Sequence, residues 1–525
     1  MKVVVIALFC SVFHNVYGAN ILGMFPFPTF SHTNAYIPIL KELARRGHNV
    51  TMVSPYPLKE KIPNYNDIVL DNTLDQVISN SGVRNIRQFS TIMKFTGLWP
   101  ICNTFLDPAF KIPKFQEFMK ENNSKFDLLI IEPFFCQQPL MAFAHKYGAS
   151  VVAIVTIYIS PGISAISGNP YPMAYVPNMK LTFTDNMNFW ERVQNTFYSF
   201  IEILVDEIYG TWLMNNYMKE HFKNYPGFEN LPSLSEIQNN ISLFLVDNHF
   251  SLSYPRPYLP NTIDFAGLSV NTGGKLPVDL QKFMNESKDG VIFFTWGSHY
   301  KMTNMEPELL SSLMSVFGKL KQRVLMKWEN ETMPGKPDNV KIAKWFPQAS
   351  VLSHPNMRIF ITHGGIHGTI EAVYNAVPIL GTPLFGDQFY NLRMIEDSGM
   401  GINIDIDTVT EAELSSAVNK LLHDPKYKEN AQKKSKIFKD RPLTTLDNTV
   451  FWVEYVLRHN GAHHLRPATL DLAWYQNWLI DVIALFIAVI IGLGIILIFT
   501  MRCICNLFRK NKKSNEKDGK KSKKD

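Results

Sequence analysis

The chain has 525 residues, more than one ordinary domain of about 100–200 residues, so its length predicts two or three domains. Because 46% of the residues are hydrophobic and 19% are charged, we expect a large buried core, and a chain that is disordered throughout is excluded. Five cysteines are too few for a disulfide scaffold.

The net charge of +6 suggests an anionic partner such as nucleic acid, but the charge is unevenly distributed. Residues 502–525 hold ten Lys or Arg and three acidic residues, a net charge of +7. With that segment and Lys2 set aside, the rest of the chain carries −2. We therefore expect no nucleic-acid partner.

The first half of the chain begins with a secretory signal pattern at 1–18, in which Lys2 precedes an apolar run. Apolar segments then predict strands at 20–25, 49–54, 126–131 and 150–154 and helices at 31–46 and 138–147. A strand, a helix and a second strand within about 35 residues form a βαβ unit, so these strands should be parallel. Residues 19–270 are predicted to form one α/β domain, in which the irregular segment 160–235 lines a pocket.

A turn-rich segment at 271–279 predicts a linker, and a second alternating series follows it. The series predicts strands at 290–296, 323–327, 357–362 and 378–381 and helices at 306–319, 368–375 and 410–422. Thr410 and Glu413, three residues apart, have the spacing of a capping box at the start of the last helix. Residues 280–470 should form a second α/β domain that faces the first across a cleft.

The 20 residues at 482–501 contain no charge. At about 1.5 Å per residue they match the roughly 30 Å hydrocarbon core of a bilayer, so we predict a transmembrane helix at 478–501. The basic tail at 502–525 would then be cytoplasmic and the body lumenal or extracellular. Lys521 and Lys523 resemble a signal for return to the endoplasmic reticulum, and a plain basic tail is the alternative that the sequence leaves open.

Five Asn-X-Ser/Thr sequons agree with passage through the secretory route, and they lie at Asn49, Asn122, Asn240, Asn285 and Asn330. Asn49 should open a buried strand, so we do not expect it to be glycosylated. Cys102 and Cys136 are the two cysteines of the body, and whether they pair is left open.

The most informative stretch is at 360–371, where a predicted strand runs into His363 and glycines make a turn before a helix near Gly368. Free backbone N–H groups and the positive end of the helix dipole suit a phosphate group at such a turn. Glycines without side chains at Gly364 and Gly365 would let a diphosphate approach the backbone. A lone Gly-Gly pair is more often only a packing turn.

This stretch and the segment at 378–388 together resemble the signature of the UDP-glycosyltransferases, the membrane-bound animal enzymes of the endoplasmic reticulum. The residues at the family's spacing are Thr362, His363, Gly364, Glu371, Pro378, Pro383, Asp387 and Gln388. The resemblance extends over almost the whole chain, and residues 41–51 look most like insect members. It implies two Rossmann-like domains facing a cleft (the GT-B type) plus one C-terminal transmembrane helix. It also implies a single-pass type I protein of the endoplasmic reticulum membrane, with a lumenal catalytic part and a role in detoxification.

By this resemblance the second domain holds a UDP-sugar. Trp345 would stack on uracil, Gln348 would bind near the base or ribose, and Glu371 would accept hydrogen bonds from ribose hydroxyls. The other implied donor-binding residues are Ser298, His363, Gly365 and Gly368 at the diphosphate and Asp387 and Gln388 at the sugar hydroxyls.

The resemblance also implies that His32 is the catalytic base, which takes the proton of the acceptor hydroxyl as its oxygen attacks the anomeric carbon. The family pairs this histidine with an aspartate, but this sequence has Glu132 at that position, and its extra methylene shifts the carboxylate by roughly an ångström. Asp127 is the alternative partner, although its place at a strand start favours a structural role.

The resemblance implies no metal and no cofactor beyond the UDP-sugar co-substrate. His363 and His367 are four residues apart, as in some zinc sites, but no third ligand follows them. We expect an inverting, metal-independent transfer of a sugar, with glucose favoured over glucuronate, to a hydroxyl of a small lipophilic acceptor. The alternatives are a catalytically weak relative that binds nucleotide sugar or lipophile, and a single-pass receptor without UDP affinity. Whether the chain forms homo-oligomers is left open.

Overall fold

We describe the protein from a computed structural model, in which the described residues are 18–26, 29–70, 93, 99–268, 270, 274–298 and 300–521. The predicted signal peptide lies outside them except for Gly18, as do the first three residues of the predicted linker and the last four of the tail. The chain divides into two units, residues 1–466 and residues 467–525.

The larger unit contains two parallel sheets. The first has seven strands in the order β3-β2-β1-β4-β5-β6-β7. They are β1 (Asn20–Met24), β2 (Asn49–Ser54), β3 (Tyr65–Val69), β4 (Leu128–Ile131), β5 (Ser150–Val155), β6 (Ile241–Val246) and β7 (Thr262–Asp264). Every neighbouring pair in this order is parallel, as the predicted βαβ unit requires.

The second sheet has six strands in the order β10-β9-β8-β11-β12-β13, again all parallel. They are β8 (Val291–Thr295), β9 (Arg323–Lys327), β10 (Val340–Ala343), β11 (Met357–Thr362), β12 (Ile379–Gly381) and β13 (Gly401–Asn403). Each sheet reverses its strand order once, between β1 and β4 and between β8 and β11. Open α/β sheets bind ligands outside the carboxyl ends of the strands at such a reversal.

Helices connect the strands and cover the sheets. Those before the second sheet are α1 (Phe30–Arg45), α2 (Asn103–Phe110), α3 (Pro113–Lys120), α4 (Ala142–Tyr147), α5 (Pro161–Ser167), α6 (Phe189–Leu204), α7 (Thr211–Phe222), α8 (Leu234–Gln238) and α9 (Val278–Glu286). A π-helical turn, Val205–Gly210, joins α6 to α7, and 3-10 turns lie at Trp99–Ile101 and Gln138–Met141.

The later helices of the larger unit are α10 (Pro307–Gly318), α11 (Gln348–Leu352), α12 (Ile366–Tyr374), α13 (Gln388–Asp397), α14 (Glu411–His423), α15 (Pro425–Lys439) and α16 (Thr445–Arg458). Short 3-10 turns lie at Met302–Asn304 and His463–Leu465. The predicted capping box of α14 is confirmed, because the Thr410 side chain accepts from the Glu413 N–H and the Glu413 side chain accepts from the Thr410 N–H.

The sheets are buried on both faces. In the first sheet, Ile21, Ile130 and Leu243 belong to one core cluster with α1 and α16, while Leu22 and Leu129 point into another. The second sheet likewise lies between two clusters. Burial on both faces explains why these strands are continuous apolar runs rather than alternating patterns.

One helix crosses the predicted domain boundary. Helix α16 lies within the range 280–470 predicted for the second domain, yet it packs against α1 and strands β5 to β7 of the first sheet. The apolar positions of α16, including Val450, Val453 and Val456, enter the first core. The last α-helix of the larger unit therefore belongs to the first domain, although the predicted boundary along the sequence assigns it to the second.

The structure also answers two smaller questions that the sequence raised, on the cysteines and on Asn49. Cys102 and Cys136 form a disulfide, with Cα atoms 5.2 Å apart. Asn49 opens β2 as predicted, but its side chain is exposed and donates to Asn20 Oδ1 at 3.1 Å. Strand position alone therefore does not exclude a glycan at Asn49.

The smaller unit contains a 3-10 turn at Ala468–Asp471, a short helix α17 (Trp474–Asn477) and a long helix α18 (Ile480–Lys521). Within the described part of the chain, the segment Ile480–Lys510 of α18 is the one helix long and apolar enough to cross a membrane. It includes most of the predicted transmembrane helix at 478–501 and begins two residues later.

Candidate active site

The first-sheet half of the site lies at the carboxyl ends of β1 and β4, the two neighbouring strands between which the strand order reverses. Glu132 follows the last residue of β4, and His32 lies in the first turn of α1, which begins at Phe30. His32 Nδ1 lies 2.9 and 3.0 Å from the two carboxylate oxygens of Glu132. The two side chains that the sequence paired are therefore in direct contact, and the longer glutamate reaches the ring.

The contact determines which nitrogen of His32 can act as a base. A carboxylate only accepts hydrogen bonds, so in the neutral ring Nδ1 carries the hydrogen and Nε2 is the basic nitrogen. Glu132 is 1% exposed, and its charge would stabilise the imidazolium that forms when Nε2 takes a proton. Asp127, the alternative partner, instead accepts from the Asn20 N–H at 2.8 Å, a structural role as expected.

Thr156 is a third member of this cluster that the sequence analysis missed. Its hydroxyl donates to Glu132 Oε1 and lies 3.0 Å from His32 Nδ1. Thr156 directly follows β5, the strand next to β4, and Asp247 directly follows β6. A polar residue immediately after each buried strand was the signal available in the sequence, because carboxyl ends of parallel strands meet at one edge.

A cavity of about 330 Å³ lies between the two sheets' carboxyl ends. Seven of the nine predicted donor-binding residues line it, namely Ser298, Trp345, Gln348, His363, Gly365, Gly368 and Glu371. The first domain contributes Phe30, Ser31 and Asn34, from the same helical turn that carries His32. The predicted base and the predicted donor site therefore share a wall.

Trp345 lies at the outer side of this cavity with 55% of its surface exposed. Its ring meets the edge of Phe30 from the first domain, with centroids 5.7 Å apart and planes at 84°. An exposed indole face beside a cavity is a stacking platform for a planar base.

Glu371 and Gln348 are bonded to each other inside the cavity wall, with Gln348 Nε2 donating to Glu371 Oε2 at 2.6 Å. Burial raises the pKa of Glu371 to about 7, although Gln348 and His367 act in the opposite direction. Near neutral pH such a carboxyl group can accept a hydrogen bond from a hydroxyl group when it is ionised, or donate one to it when it is protonated.

The glycine turn differs from the prediction in two respects. Helix α12 begins at Ile366 with Gly365 as its N-cap residue, so it starts two residues before Gly368. Gly364 has φ +83°, and a Cβ there would meet the Leu392 side chain at 2.4 Å. A Cβ on Gly365 would meet the His363 ring at 2.7 Å. Gly364 is therefore required by its backbone conformation and packing, whereas Gly365 has an ordinary φ of −58° and lines the cavity.

The two predicted sugar-binding residues do not line this cavity. Asp387 precedes helix α13, accepts from Asn391 Nδ2 at 2.6 Å, and has its pKa raised by burial. Gln388 Oε1 accepts from the N–H groups of Leu384 and Phe385, both at 2.9 Å, and so holds the preceding loop. Only the amide NH₂ of Gln388 is left to donate to a ligand.

His367 joins the site across the cleft. Its ring centroid lies 6.1 Å from that of His32, and its Nε2 lies 2.9 Å from Asp247 Oδ2 of the first domain. Burial lowers the pKa of His367, but the charges of Asp247, Glu371 and Glu132 outweigh it and raise the pKa above its usual value. The sequence analysis considered His367 only as a zinc ligand. Within the described residues, no group of three or more His, Cys, Asp or Glu side chains could hold a metal ion.

Comparison with known proteins agrees with this geometry. Residues 24–518 match the model of the family described as "UDP-glucoronosyl and UDP-glucosyl transferase". The chain is 35% identical over 507 residues to UDP-glycosyltransferase UGT5 of Dactylopius coccus, with 94% of each chain covered. It is 32% identical over 515 residues to UDP-glucuronosyltransferase 1A9 of Homo sapiens, covering 94% of this chain and 93% of that protein.

Among solved structures, the chain is similar to Spinosyn Forosaminyltransferase SpnP, with a TM-score of 0.54 and 17% identity over 84% of this chain and 99% of that one. At this identity the likeness shows the fold, which is the GT-B arrangement of two Rossmann-like domains. The helix Ile480–Lys510 and the mammalian relatives together indicate a membrane-anchored protein. The chain belongs to the UDP-glucuronosyl and UDP-glucosyl transferase family and is a glycosyltransferase that takes its sugar from a UDP-sugar.

Proposed function

We propose that this enzyme transfers glucose from UDP-glucose to a hydroxyl group of a small lipophilic acceptor, inverting the anomeric centre without a metal ion. The observation that carries the proposal is the bond between His32 Nδ1 and the Glu132 carboxylate beside the donor cavity. This arrangement supplies a base on the acceptor side and an anion-binding turn on the donor side.

The proposed reaction is a single displacement. The acceptor oxygen forms a bond to the anomeric carbon, the bond from that carbon to the diphosphate oxygen breaks with its electron pair, and UDP leaves. His32 Nε2 takes the hydroxyl proton, and Glu132 stabilises the resulting imidazolium. One displacement from the opposite side inverts the anomeric configuration.

The donor diphosphate is proposed to lie at the start of α12, where backbone N–H groups and the helix dipole favour negative charge. His367 adds a raised-pKa imidazole to the same cavity wall. The helix start, together with His367 when its ring is protonated, would offset the charge of a leaving diphosphate without a divalent cation.

Glucose is proposed as the sugar because of similarity to insect relatives. The chain is 33% identical over 517 residues to UDP-glucosyltransferase 2 of Dactylopius coccus and 30–32% identical to several mammalian glucuronosyltransferases. The difference in sequence identity between these two groups of relatives is small, so the donor sugar is the first property to measure.

A second cavity in the first domain has a volume of about 40 Å³, less than the roughly 300–1,000 Å³ of ligand pockets, so only its lining, and not its size, favours a lipophilic acceptor. Its lining is mostly apolar and includes Trp99, Phe134, Ile163 and Met214. Phe134 lies two residues after Glu132, which places the cavity near the proposed base. Pockets of this composition select apolar ligands by burial and orient them with few polar groups.

The cellular setting is proposed to be the endoplasmic reticulum membrane, with a single span, a lumenal catalytic body and a cytoplasmic tail. The basic tail after Met501 supports this orientation through the positive-inside rule. Detoxification of lipophilic compounds would suit an enzyme in that membrane.

The test is a donor screen with the full chain in detergent or lipid, measuring UDP release from UDP-glucose, UDP-glucuronate and UDP-galactose with a panel of phenolic acceptors. We expect turnover to be fastest with UDP-glucose, and NMR of the product should show the inverted anomer. Faster turnover with UDP-glucuronate would contradict the donor assignment. Activity lost on adding EDTA and restored by a divalent cation would contradict the metal-free route.

The alternative from the sequence, a protein that binds nucleotide sugar without turnover, rested on the glutamate at position 132, and the contact between His32 and Glu132 counts against it. The same screen distinguishes the two. UDP binding by the wild type without release from any donor would support the binding protein and contradict the proposed transfer. Absence of UDP binding would support the receptor alternative.

A further inference from the structure

A contact between two titratable side chains joins the domains inside the cleft. His367 is the second residue of α12 in the second domain, and Asp247 directly follows β6 in the first. His367 Nε2 lies 2.9 Å from Asp247 Oδ2. A carboxylate has no hydrogen to donate, so the contact is favourable only with a hydrogen on Nε2. It is strongest when the ring is protonated and opposite charges attract.

The Asp247 carboxylate depends on this contact because it is buried. Asp247 is 2% exposed, and a buried charge is costly unless a partner compensates it. Arg441 lies within electrostatic range, since the charges of Asp264 and Asp247 oppose the lowering of its pKa by burial. The guanidinium of Arg441 donates instead to two carbonyl oxygens and a threonine hydroxyl. The direct contact with the Asp247 carboxylate therefore comes from His367, across the cleft.

The titratable groups that face His367 come from five elements and are mostly acidic. They are Asp247 after β6, Glu132 after β4, Glu371 on α12, Asp387 before α13 and His32 on α1. Burial lowers the pKa of His367, but the charges of Asp247, Glu371 and Glu132 outweigh it and raise the pKa above its usual value. A larger fraction of His367 is therefore protonated at neutral pH than of an ordinary histidine.

We propose that Asp247 is a positioning residue that acts through His367, because their ion pair holds the cleft closed and sets the base against the donor site. The inference rests on the proposed function, in which His32 is the base and the start of α12 binds the diphosphate. The rings of His32 and His367 are 6.1 Å apart, so the ion pair fixes that helix start beside the base. Loss of the proton from His367 removes the attraction and leaves a buried carboxylate that draws water into the cleft.

A second contact between the domains does not depend on pH in the same way. Arg256 Nη2 donates to the Tyr390 hydroxyl of α13 at 3.2 Å. Arginine stays protonated, and burial raises the pKa of Tyr390 above its usual value although Arg256 opposes the rise. Tyr390→Phe removes this bond without changing a charge, so it is the matched control for a variant that breaks the ion pair.

The first test measures the distance between the domains in the full chain in detergent, without substrate, by pulsed dipolar spectroscopy. Cys503→Ser and Cys505→Ser remove the free thiols of the described residues. Glu117→Cys on α3 and Ser416→Cys on α14, both at exposed positions, then carry one nitroxide label each. The variants to compare with the doubly labelled wild type are Asp247→Asn, His367→Gln and Tyr390→Phe.

In the wild type we expect a narrow distribution of distances at pH 6 that broadens at pH 8.5. Asp247→Asn and His367→Gln should give broad distributions at both pH values, because neither variant has the ion pair. Tyr390→Phe should respond to pH as the wild type does. A distribution for Asp247→Asn as narrow as that of wild type at pH 6 would overturn the proposal, as would a wild-type distribution that does not change with pH.

Kinetics separate this inference from the proposed function. With the UDP-sugar that the donor screen identifies, Asp247→Asn should lower kcat/KM at pH 6 on the order of fivefold. The loss should almost disappear at pH 8.5, where the wild type has also lost the ion pair. Adding His367→Gln to Asp247→Asn should not add the two single losses together.

Two kinetic outcomes have different meanings. A loss of the same size at pH 6 and pH 8.5 would make Asp247 merely structural and would overturn the inference, even with the transfer reaction established. A wild type without turnover would contradict the proposed function alone, and the distance distributions would still decide whether the ion pair closes the cleft.

Discussion

The two halves of the candidate active site are built on sheets of the same design but present different groups. In both sheets the strand order reverses beside the first strand, and the functional residues follow the strands on either side of the reversal. In the first sheet these residues are the polar Glu132, Thr156 and Asp247, directly after three neighbouring strands, and Thr156 donates a hydrogen bond to Glu132. In the second sheet β11 is followed by a glycine turn and a helix start.

Under the proposed function, this difference would let one fold hold both a proton acceptor and an anion. A base needs side chains that orient it, so the first sheet places a carboxylate and a hydroxyl against His32. Backbone N–H groups at a helix start can bind an anion through hydrogen bonds and the helix dipole, provided that the anion approaches the backbone closely. Side chains therefore form the first-sheet edge, whereas the second-sheet edge combines side chains with a backbone turn. Four predictions test this division, beginning with the largest effect.

Removing the base should have the largest effect. In His32→Ala we expect kcat to fall by about 10²–10⁴-fold because no other group takes the hydroxyl proton, while UDP affinity stays within a factor of about two. Steady-state kinetics and UDP titration measure the two quantities. His145→Ala is the control, since His145 is an exposed first-domain histidine bonded to the Glu229 carbonyl oxygen. An unchanged kcat in His32→Ala would remove His32 from the reaction.

Replacing the Glu132 carboxylate should have the next largest effect. Glu132→Gln keeps the size of the side chain but removes the charge that stabilises the His32 imidazolium, so kcat should fall by about 10²-fold with little change in donor KM. Glu132→Asp keeps the charge but moves the carboxylate roughly one ångström away from His32. The kcat of this variant should lie between those of wild type and Glu132→Gln. Equal activity of all three would mean that Glu132 is only structural.

Removing the stacking platform should change binding rather than chemistry. In Trp345→Ala the KM for the UDP-sugar should rise about tenfold, because base stacking on an aromatic contributes about 1–3 kcal/mol. Trp345→Phe should retain part of the affinity. A fall in kcat with unchanged KM would show instead that Trp345 acts on the closure of the cleft, through its contact with Phe30.

The buried carboxyl of Glu371 should affect stability rather than catalysis, with a change of only a few degrees in the thermal midpoint. The folded-state pKa of Glu371 is about 7, above its ordinary 4.5, so the folded protein binds more protons than the unfolded chain between these values. Its stabilising contribution is fully present below pH 4.5 and is lost as the pH rises through about 7. At pH 8 the loss is on the order of 3 kcal/mol.

Glu371→Gln removes this dependence while keeping an acceptor for Gln348. The thermal midpoint of the variant should match wild type near pH 5 and exceed it by a few degrees at pH 8. Glu308→Gln, at an exposed position of α10, serves as the control and should show no pH-dependent difference. A constant offset between wild type and Glu371→Gln at both pH values would contradict the raised pKa.

Much of the fold could be predicted because the strands are short apolar runs bounded by turn formers. The predicted bounds of β2, β9 and β11 agree with the structure, and the βαβ interpretation gave parallel pairing. Among the strands that were missed, β3 is less buried and β13 is only three residues long, whereas β6 is fully buried and six residues long and could have been found. A run of three residues has no period that local sequence could show.

The second-sheet residues that line the cavity were predictable for a similar reason. Turn glycines and the residues around them are adjacent in sequence, so their spacing survives as a motif. The first-domain residues that face this turn come from separate strands, and the contact between His367 and Asp247 joins residues 120 positions apart. No local pattern identifies such a pair.

By itself the sequence determined the family, the two parallel sheets, the membrane helix and the positions of His32, Glu132 and the glycine turn. These depend on local periodicity, on local spacing or on a match to a known motif. The tertiary structure alone decided that Thr156 and Asp247 join the site and that α16 returns to the first domain. Those outcomes depend on which surfaces meet after the chain folds, because burial is set by contacts between distant segments.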